Sequence, residues 1–445
     1  MIGLVLVAAL AATPVRLDEV RLAARQNNVQ ALLAGQDFAR ASASRELGRS
    51  ALLPQVSLTA SAGGTVSGAQ KSPQFVLKNR ADPSQGGEIV ATTLDPYQIP
   101  SFALGASFNQ LLFDWSRFKT YAQTGLQVDA ARGQLEEQQD LSEFEGIRRF
   151  YALFYAQRTL AVLEGNARRS QELVDRSEAL FEAGRASKAD VFSSQVNLNN
   201  DRISAIRQES TIAQTSADLS AWIARPEVED LTAVDPGTLQ APPMGPPALD
   251  ELLRQARTSR PLLRALDASL RAADTGVDVA RGGFYPRLTA QAQWQRQGPY
   301  ADAVFAMPKL QNTLNAGINF QWDLFSGLST TAQVHTARAN VRSAQLNLEQ
   351  SARDVEGQVK LGHTTLRVQV AVSQVSRQNV DTAGKGLAAA EARFAAGASS
   401  TLEVRDAQLK LTQAELIFLQ SRVDVEVARA QLARLTGTLG RGERQ

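Results

Sequence analysis

The sequence predicts a mixed α and β membrane protein made of two tandem repeats, each a β-hairpin set between long helices. Three observations predict it: two proline-free tracts of helix-forming composition, four short segments of period-two hydrophobicity, and landmarks that return in the same order in both halves.

The helices follow from the prolines. All sixteen lie between positions 14 and 100 or between 226 and 308. Proline inside a helix costs about 3 kcal/mol, so long helices can run through 101–225 and 309–445. Both tracts are rich in Ala, Leu, Gln, Glu and Arg, the strong helix formers. Phe144, Ile147, Tyr151 and Phe154 follow a 3-4-3 spacing, and Val334, Ala337, Val341, Ala344, Leu348, Ser351 and Val355 keep the same rhythm. Leu198, Ala205, Ile212 and Leu219 recur every seven residues. These are coiled-coil seams, and their many small residues permit close helix contacts. A helix from Ser116 to Ala183 would extend for about 100 Å.

Each tract is broken once, at Phe181-Glu-Ala-Gly184-Arg-Ala-Ser-Lys-Ala-Asp190 and at Phe394-Ala-Ala-Gly397-Ala-Ser-Ser-Thr-Leu-Glu403. Gly ends a helix, and Ser or Thr just beyond it caps the next. Each tract is therefore a helical hairpin, one arm about twice as long as the other.

The same landmarks reveal the repeat. Leu17-Asp18-Glu19 returns as Leu249-Asp250-Glu251, and Pro54 as Pro286, both 232 residues later. Phe113 returns as Phe325 and Phe181-x-x-Gly184 as Phe394-x-x-Gly397, at offsets of 212 and 213. The first repeat spans 13–225, with a β-hairpin over about 55–113 and a tip near 184. A Pro-rich linker, 226–247, leads to the second, 248–445, with its β-hairpin over about 287–325 and its tip near 397.

The strands occupy the proline-containing intervals. Val56, Leu58 and Ala60 alternate with polar or small residues, as do Phe102, Leu104, Ala106 and Phe108. So do Leu288, Ala290, Ala292 and Trp294, and then Leu314, Ala316, Ile318, Phe320, Trp322 and Leu324. Segments of about ten residues with this period are the mark of membrane β-strands. Polar loops are expected between them, a long one around 66–100 and a short one around 298–311. Four strands cannot close a barrel, and an open sheet edge in lipid leaves its hydrogen-bonding groups unsatisfied. Eight strands leave an interior filled by side chains, so a conduit needs more. Three copies, giving a trimeric 12-stranded transmembrane β-barrel with four strands per protomer, is the smallest assembly that meets both demands.

Composition removes other classes. With no Cys there is no disulfide, thiolate metal site or Cys nucleophile. The net charge of +2 suggests no grip on nucleic acid. Neither an enzyme, a cofactor nor a metal is expected: His335 and His363 are the only histidines, both in one helical tract with no nucleotide loop or triad beside them. Residues 1–12 form an apolar run ending in Ala9-Leu10-Ala11, which fits a signal peptide cleaved after small residues. No Lys or Arg precedes the run, which departs from the usual signal pattern, and a buried first helix is the other reading.

Taken together, the Leu-Asp-Glu opening helix, the Pro54 strand entry, the Leu112-Phe113-Asp114 and Asp323-Leu324-Phe325-Ser326-Gly327 strand exits, the two Phe-x-x-Gly tips and the terminal Gln431-Leu-Ala-Arg-Leu-Thr-Gly437 resemble the TolC family of outer-membrane efflux and secretion channels. The resemblance covers essentially the whole chain after the leader. It implies a homotrimer whose barrel, in the outer membrane of a Gram-negative bacterium, is continuous with a long periplasmic α-helical coiled-coil barrel. It also implies a passive exit duct docked on a periplasmic adaptor (a membrane fusion protein) and, through it, an inner-membrane transporter of the RND or ABC type. Type I protein secretion is the alternative use of the same plan, and a periplasmic coiled-coil scaffold without a channel is the structural rival.

The resemblance further implies roles for residues near the tips. The triplets Ala183-Gly184-Arg185 and Ala396-Gly397-Ala398 stand where family adaptors dock, although plain helix-capping glycines fit the residues equally. Asp190, Glu403 and Asp406 stand where acidic residues constrict the periplasmic entrance, and rings of carboxylates favour cations. An ordinary solvated face, with Asp406 and Lys410 as an i,i+4 pair, is the competing reading. The family's prototype shuts its entrance with a Tyr at the position of Phe394 and an Arg at that of Ser399. Phe394 and Ser399 themselves are possible gate partners at those positions, and with neither the Tyr nor the Arg present, Arg185, Lys188 and Arg405 are the candidate substitutes.

Overall fold

A computed structural model describes residues 13–77, 82, 84, 86–225, 230–239, 242–305 and 312–441. The expected leader at 1–12 and parts of the 226–247 linker lie outside the described residues.

Strand β1 (Thr13–Val15) and helices α1 (Leu17–Gln26) and α2 (Val29–Ser50) open the chain. Strands β2 (Gln55–Ser67), β3 (Gln70–Leu77), β4 (Gly87–Leu94) and β5 (Tyr97–Asp114) follow, then helices α3 (Trp115–Glu182) and α4 (Lys188–Trp222). After β6 (Leu231–Ala233) come α5 (Leu249–Ser259), α6 (Pro261–Arg281), β7 (Arg287–Gly298), α7 (Ala301–Phe305), β8 (Asn312–Gln321), α8 (Ser329–Ala395) and α9 (Thr401–Leu435). The order of the first half thus recurs in the second. The long arms have 68 and 67 residues and the short arms 35 each.

The chain forms two compact units. One holds Met1–Ser42, Leu126–Arg271 and Val341–Gln445; among its described residues the regular elements are helices apart from β1 and β6, which pair in parallel. The seam read from the sequence is buried at Val334 and Val355 and half-buried between them, and buried residues continue beyond it along α8 at Val359, Leu366, Val370, Leu387, Ala390 and Phe394. A core of Phe150, Leu153, Leu219, Val15, Val20 and Leu231 gathers α1, α3, α4 and the two short strands. A second core joins α5, α8 and α9 through Leu252, Val355, Val359 and Val425. Small residues set the spacing. At Gly146 a Cβ would lie 2.7 Å from the Cβ of Ala24, closer than two carbons can approach.

The other unit, Ala43–Gly125 with Ala272–Asn340, carries a four-stranded antiparallel sheet in the order β2-β5-β7-β8. Leu58 faces Ala106, Ala106 faces Trp294, and Ala292 faces Ala316, so the period-two segments pair in register. A register shift between Leu111 and Phe113 interrupts the β5–β7 pairing, which resumes at Phe113↔Leu288 and Asp114↔Arg287 just before α3. Strands β2 and β8 are the edges, and β8 is exposed along its whole length. Among the described residues no helix is long and apolar enough to cross a membrane.

The structure corrects three sequence expectations here. The 66–100 interval is not simply a loop: β2 and β5 extend into it, and β3 and β4 pair within it from Gln70↔Leu94 to Leu77↔Gly87. Phe75-Val76-Leu77 and Ile89-Val90 supply the β-formers, which the neighbouring polar, Gly and Pro residues had masked. The 298–311 interval contains α7. Strand β8 ends at Gln321, so Trp322 and Leu324 leave the alternation. The Trp322 indole donates to the Phe284 carbonyl at 3.0 Å, and Gly327 and Leu328 turn the chain with φ of +60° and +66°.

Substituting Gly146→Val should destabilise the helical unit by about 1–3 kcal/mol through overpacking, read as a lower urea midpoint. An unchanged midpoint would contradict the close approach at Ala24.

Candidate functional site at the helical hairpin tips

The two hairpins close by the same backbone chemistry. In the first, the N–H of Gly184 donates to Phe181 O at 2.9 Å and that of Arg185 to Leu180 O at 2.8 Å. In the second, Gly397 donates to Phe394 O at 2.9 Å and Ala398 to Arg393 O at 2.9 Å. This is the Schellman closure, which needs a left-handed residue after the helix. Gly184 and Gly397 supply it with φ of +71° and +76°. Ala183-Gly184-Arg185 and Ala396-Gly397-Ala398 are exposed throughout. The tips also meet each other: the Arg185 guanidinium lies 3.0 Å from where a Cβ on Gly397 would stand.

Beyond the turns the two hairpins differ. Ser187 caps α4, its hydroxyl accepting from Asp190 N at 3.2 Å. The Asp190 carboxylate accepts in return from the Ser187 hydroxyl at 2.7 Å and backbone N–H at 3.1 Å. These bonds from Ser187, the side-chain one foremost, hold the Asp190 carboxyl below the usual carboxylate range. Glu403 occupies the matching place on α9 but reaches Arg393 at 2.8 Å across the turn. Asp406 pairs with Lys410 at 2.6 Å, the i,i+4 contact expected of a solvated face. Both acids stand on the wall of a shallow groove of about 520 Å³ between α8 and α9, opposite Thr382, Ala383 and Gly386.

Two of the proposed gate partners are buried within the single chain, which corrects that expectation. Phe394 packs under the second tip against Leu173, Leu387, Ala390, Val404 and Leu411, whereas its counterpart Phe181 is exposed. Arg405 holds Asp201 on α4 through two bonds, of 2.7 and 2.8 Å, both side chains about nine-tenths shielded. Ser170 on α3 completes the cluster, donating to Asp201 at 2.5 Å and accepting from Arg405 at 3.0 Å. A buried guanidinium committed to a carboxylate in this way is unavailable to a surface clasp. Of the remaining candidates, Lys188 lies over the Phe192 ring at 5.6 Å, and Ser399 donates to Ala390 O at 3.5 Å.

Above this cluster the polar contacts continue from α3 to α9. Thr412 donates to Asn166 at 3.0 Å, and Arg169 meets Glu415 at 3.3 Å. The sequence reading missed this ladder. Its signal was present in the spacing: Asp201 falls within the seam between Leu198 and Ala205, where an apolar residue is the rule.

The outer membrane efflux protein family matches residues 20–225 and 252–438, two stretches that coincide with the two halves. The outer membrane protein TolC of Vibrio cholerae is 22% identical over 95% of this chain and 91% of its own length. The alkaline protease secretion protein AprF of Pseudomonas aeruginosa is 22% identical over 94% of this chain and 83% of its own. Among solved structures, the channel CusC superposes with a TM-score of 0.75 at 17% identity, covering 95% of this chain and 92% of that one. The open-state MtrE channel of Neisseria gonorrhoeae gives 0.72 at 16% identity, covering 95% and 89%.

Replacing Asp201→Ala strands the Arg405 charge in the helix packing and should cost about 3–5 kcal/mol, measured by chemical denaturation. A loss below 1 kcal/mol, of the order of a surface pair, would contradict its burial. Because the folded Asp190 carboxyl titrates below its unfolded value, the cap's stabilisation is complete above the ordinary carboxylate range. It is lost as pH falls through the depressed value. Amide protection at the first α4 turn, corrected for the intrinsic pH dependence of exchange, should therefore fall in acid in the native protein, and lose that pH dependence in Asp190→Asn.

Proposed function

The chain belongs to the outer membrane efflux protein family, and from that premise we propose that three copies form an exit duct through the outer membrane and periplasm. It is an outer-membrane channel protein. Four antiparallel strands with both outer strands open support the trimer: β2 and β8 run in opposite senses, so β8 of one copy can pair with β2 of the next. Three copies close twelve strands and leave no edge in lipid. The observation that carries this reading is that open sheet, on a chain that also holds two helical hairpins closed by matching turns.

The long and short arms α3, α4, α8 and α9 then supply twelve helices to a periplasmic tunnel. In this reading the two halves arose by duplication, and the tips Ala183-Gly184-Arg185 and Ala396-Gly397-Ala398 meet a periplasmic adaptor. Their exposed glycines let a partner's backbone approach closely. The adaptor links the duct to an inner-membrane transporter that supplies the energy, and the duct itself performs no chemistry. Asp190, Glu403 and Asp406 lie at the periplasmic entrance. A second reading, protein secretion, is favoured by one observation: AprF, named for alkaline protease secretion, matches at the same identity as TolC.

Extracted from outer membranes and placed in planar bilayers, the protein should run as a trimer and give a stepwise conductance. A monomer without conductance would overturn the duct. Substituting both tip glycines, Gly184→Val and Gly397→Val, should leave trimers intact and abolish in-cell crosslinking to an adaptor. Crosslinking that persists at the native level would remove the tips from the docking surface.

A further inference from the structure

Of the three acids assigned to the entrance, the two of the second tip, Glu403 and Asp406, each stand beside a cation of their own chain. Arg393, in the last turn of α8, crosses to α9 and holds Glu403 at 2.8 Å. Lys410, one turn beyond Asp406, holds it at 2.6 Å. Along 391–410 the acids are Glu391, Glu403 and Asp406 and the cations Arg393, Arg405 and Lys410. In 182–190, Glu182 and Asp190 stand against Arg185 and Lys188. Arg405 is spent on Asp201 inside the helix packing, so compensation of the two exposed acids falls to Arg393 and Lys410.

A mobile ion senses a fixed charge over about one Debye length, about 8 Å at physiological salt. A carboxylate with its cation well inside that distance presents a dipole to the passing ion. Exposed pairs of this kind contribute little to stability. Compensation needs only that each cation remain near its acid, and the i,i+4 spacing and the closed tip turn ensure it. A bare ring of carboxylates would behave differently, drawing in cations by its uncancelled field.

We propose that Arg393 and Lys410 set the ion selectivity of the periplasmic entrance by cancelling the carboxylates of Glu403 and Asp406. This rests on the reading that the second tip lines the entrance. The entrance then passes small cations and anions with little preference, and admits cargo of either charge. Arg393 and Lys410 are specificity-determining residues of the duct, although neither closes it.

The test is the ratio of potassium to chloride permeability of full-length trimers in planar bilayers under a potassium chloride gradient. The Arg393→Gln/Lys410→Gln variant should shift the ratio several-fold toward potassium. The Glu403→Gln/Asp406→Asn variant should shift it by a comparable factor toward chloride. If the acid variant shifts the ratio and the cation variant does not, the acids act uncompensated; the proposal is then overturned while the entrance reading stands. If both variants form trimers and neither changes ratio or conductance, the second tip is not at the entrance and both readings fall. All four side chains are exposed, so trimer mobility on a native gel serves as the control for folding.

Discussion

A peptide group in hydrocarbon has no water to bond, and the four-stranded sheet leaves two rows of such groups open, on β2 and β8. No side chain can relieve this, because the unmet partners are backbone N–H and C=O groups spaced along whole strands. The sheet's own geometry supplies the remedy. Its outer strands run in opposite senses, so identical copies can satisfy one another by rotation around a closed ring. Any closed ring of copies removes the open edges, and in the proposed trimer the same symmetry would bring twelve helices around the duct.

The helical unit answers a different constraint. Long hairpins expose a great deal of surface and offer few positions for large side chains, so they pack through narrow seams. Gly146 against Ala24 and Gly133 against Ala265 bring helix backbones close, where dispersion contacts are dense. Between the apolar layers sits the Arg405–Asp201–Ser170 cluster, which joins the first hairpin to α9 of the second. Such a pair adds little stability over an apolar layer, but mispairing either charge is costly. It therefore favours one alignment of the two hairpins, as polar layers do in coiled coils.

Most of the fold was legible because its rules are local. Proline-free tracts located the long helices, Gly184 and Gly397 located the turns, and the alternation at Val56-Leu58 or Leu288-Ala290 located the strands. The β3–β4 pairing escaped because Pro73 and the neighbouring polar residues resemble a loop, while strand pairing depends on a partner elsewhere in the chain. At the tips, the family resemblance pointed to Asp190, Glu403 and Asp406 by their distance from a glycine. It could not show that Ser187 occupies the first and that Arg393 and Lys410 stand beside the others. Arg405 and Phe394 were misplaced for the same reason: facing inward or outward is decided by how the hairpins pack, which residue spacing within one helix does not report.

The most direct measurement is disulfide trapping across the seam between copies. A cysteine at Ser57 of β2 is combined in turn with one at Asn315, Gly317 or Asn319 of β8, all on a native background that has no Cys. Mild oxidation of outer membranes should yield, for at least one pair, a covalent trimer that reverts to monomer on reduction. Monomers alone for every pair, or an open ladder of larger species, would contradict closure of the sheet by three copies.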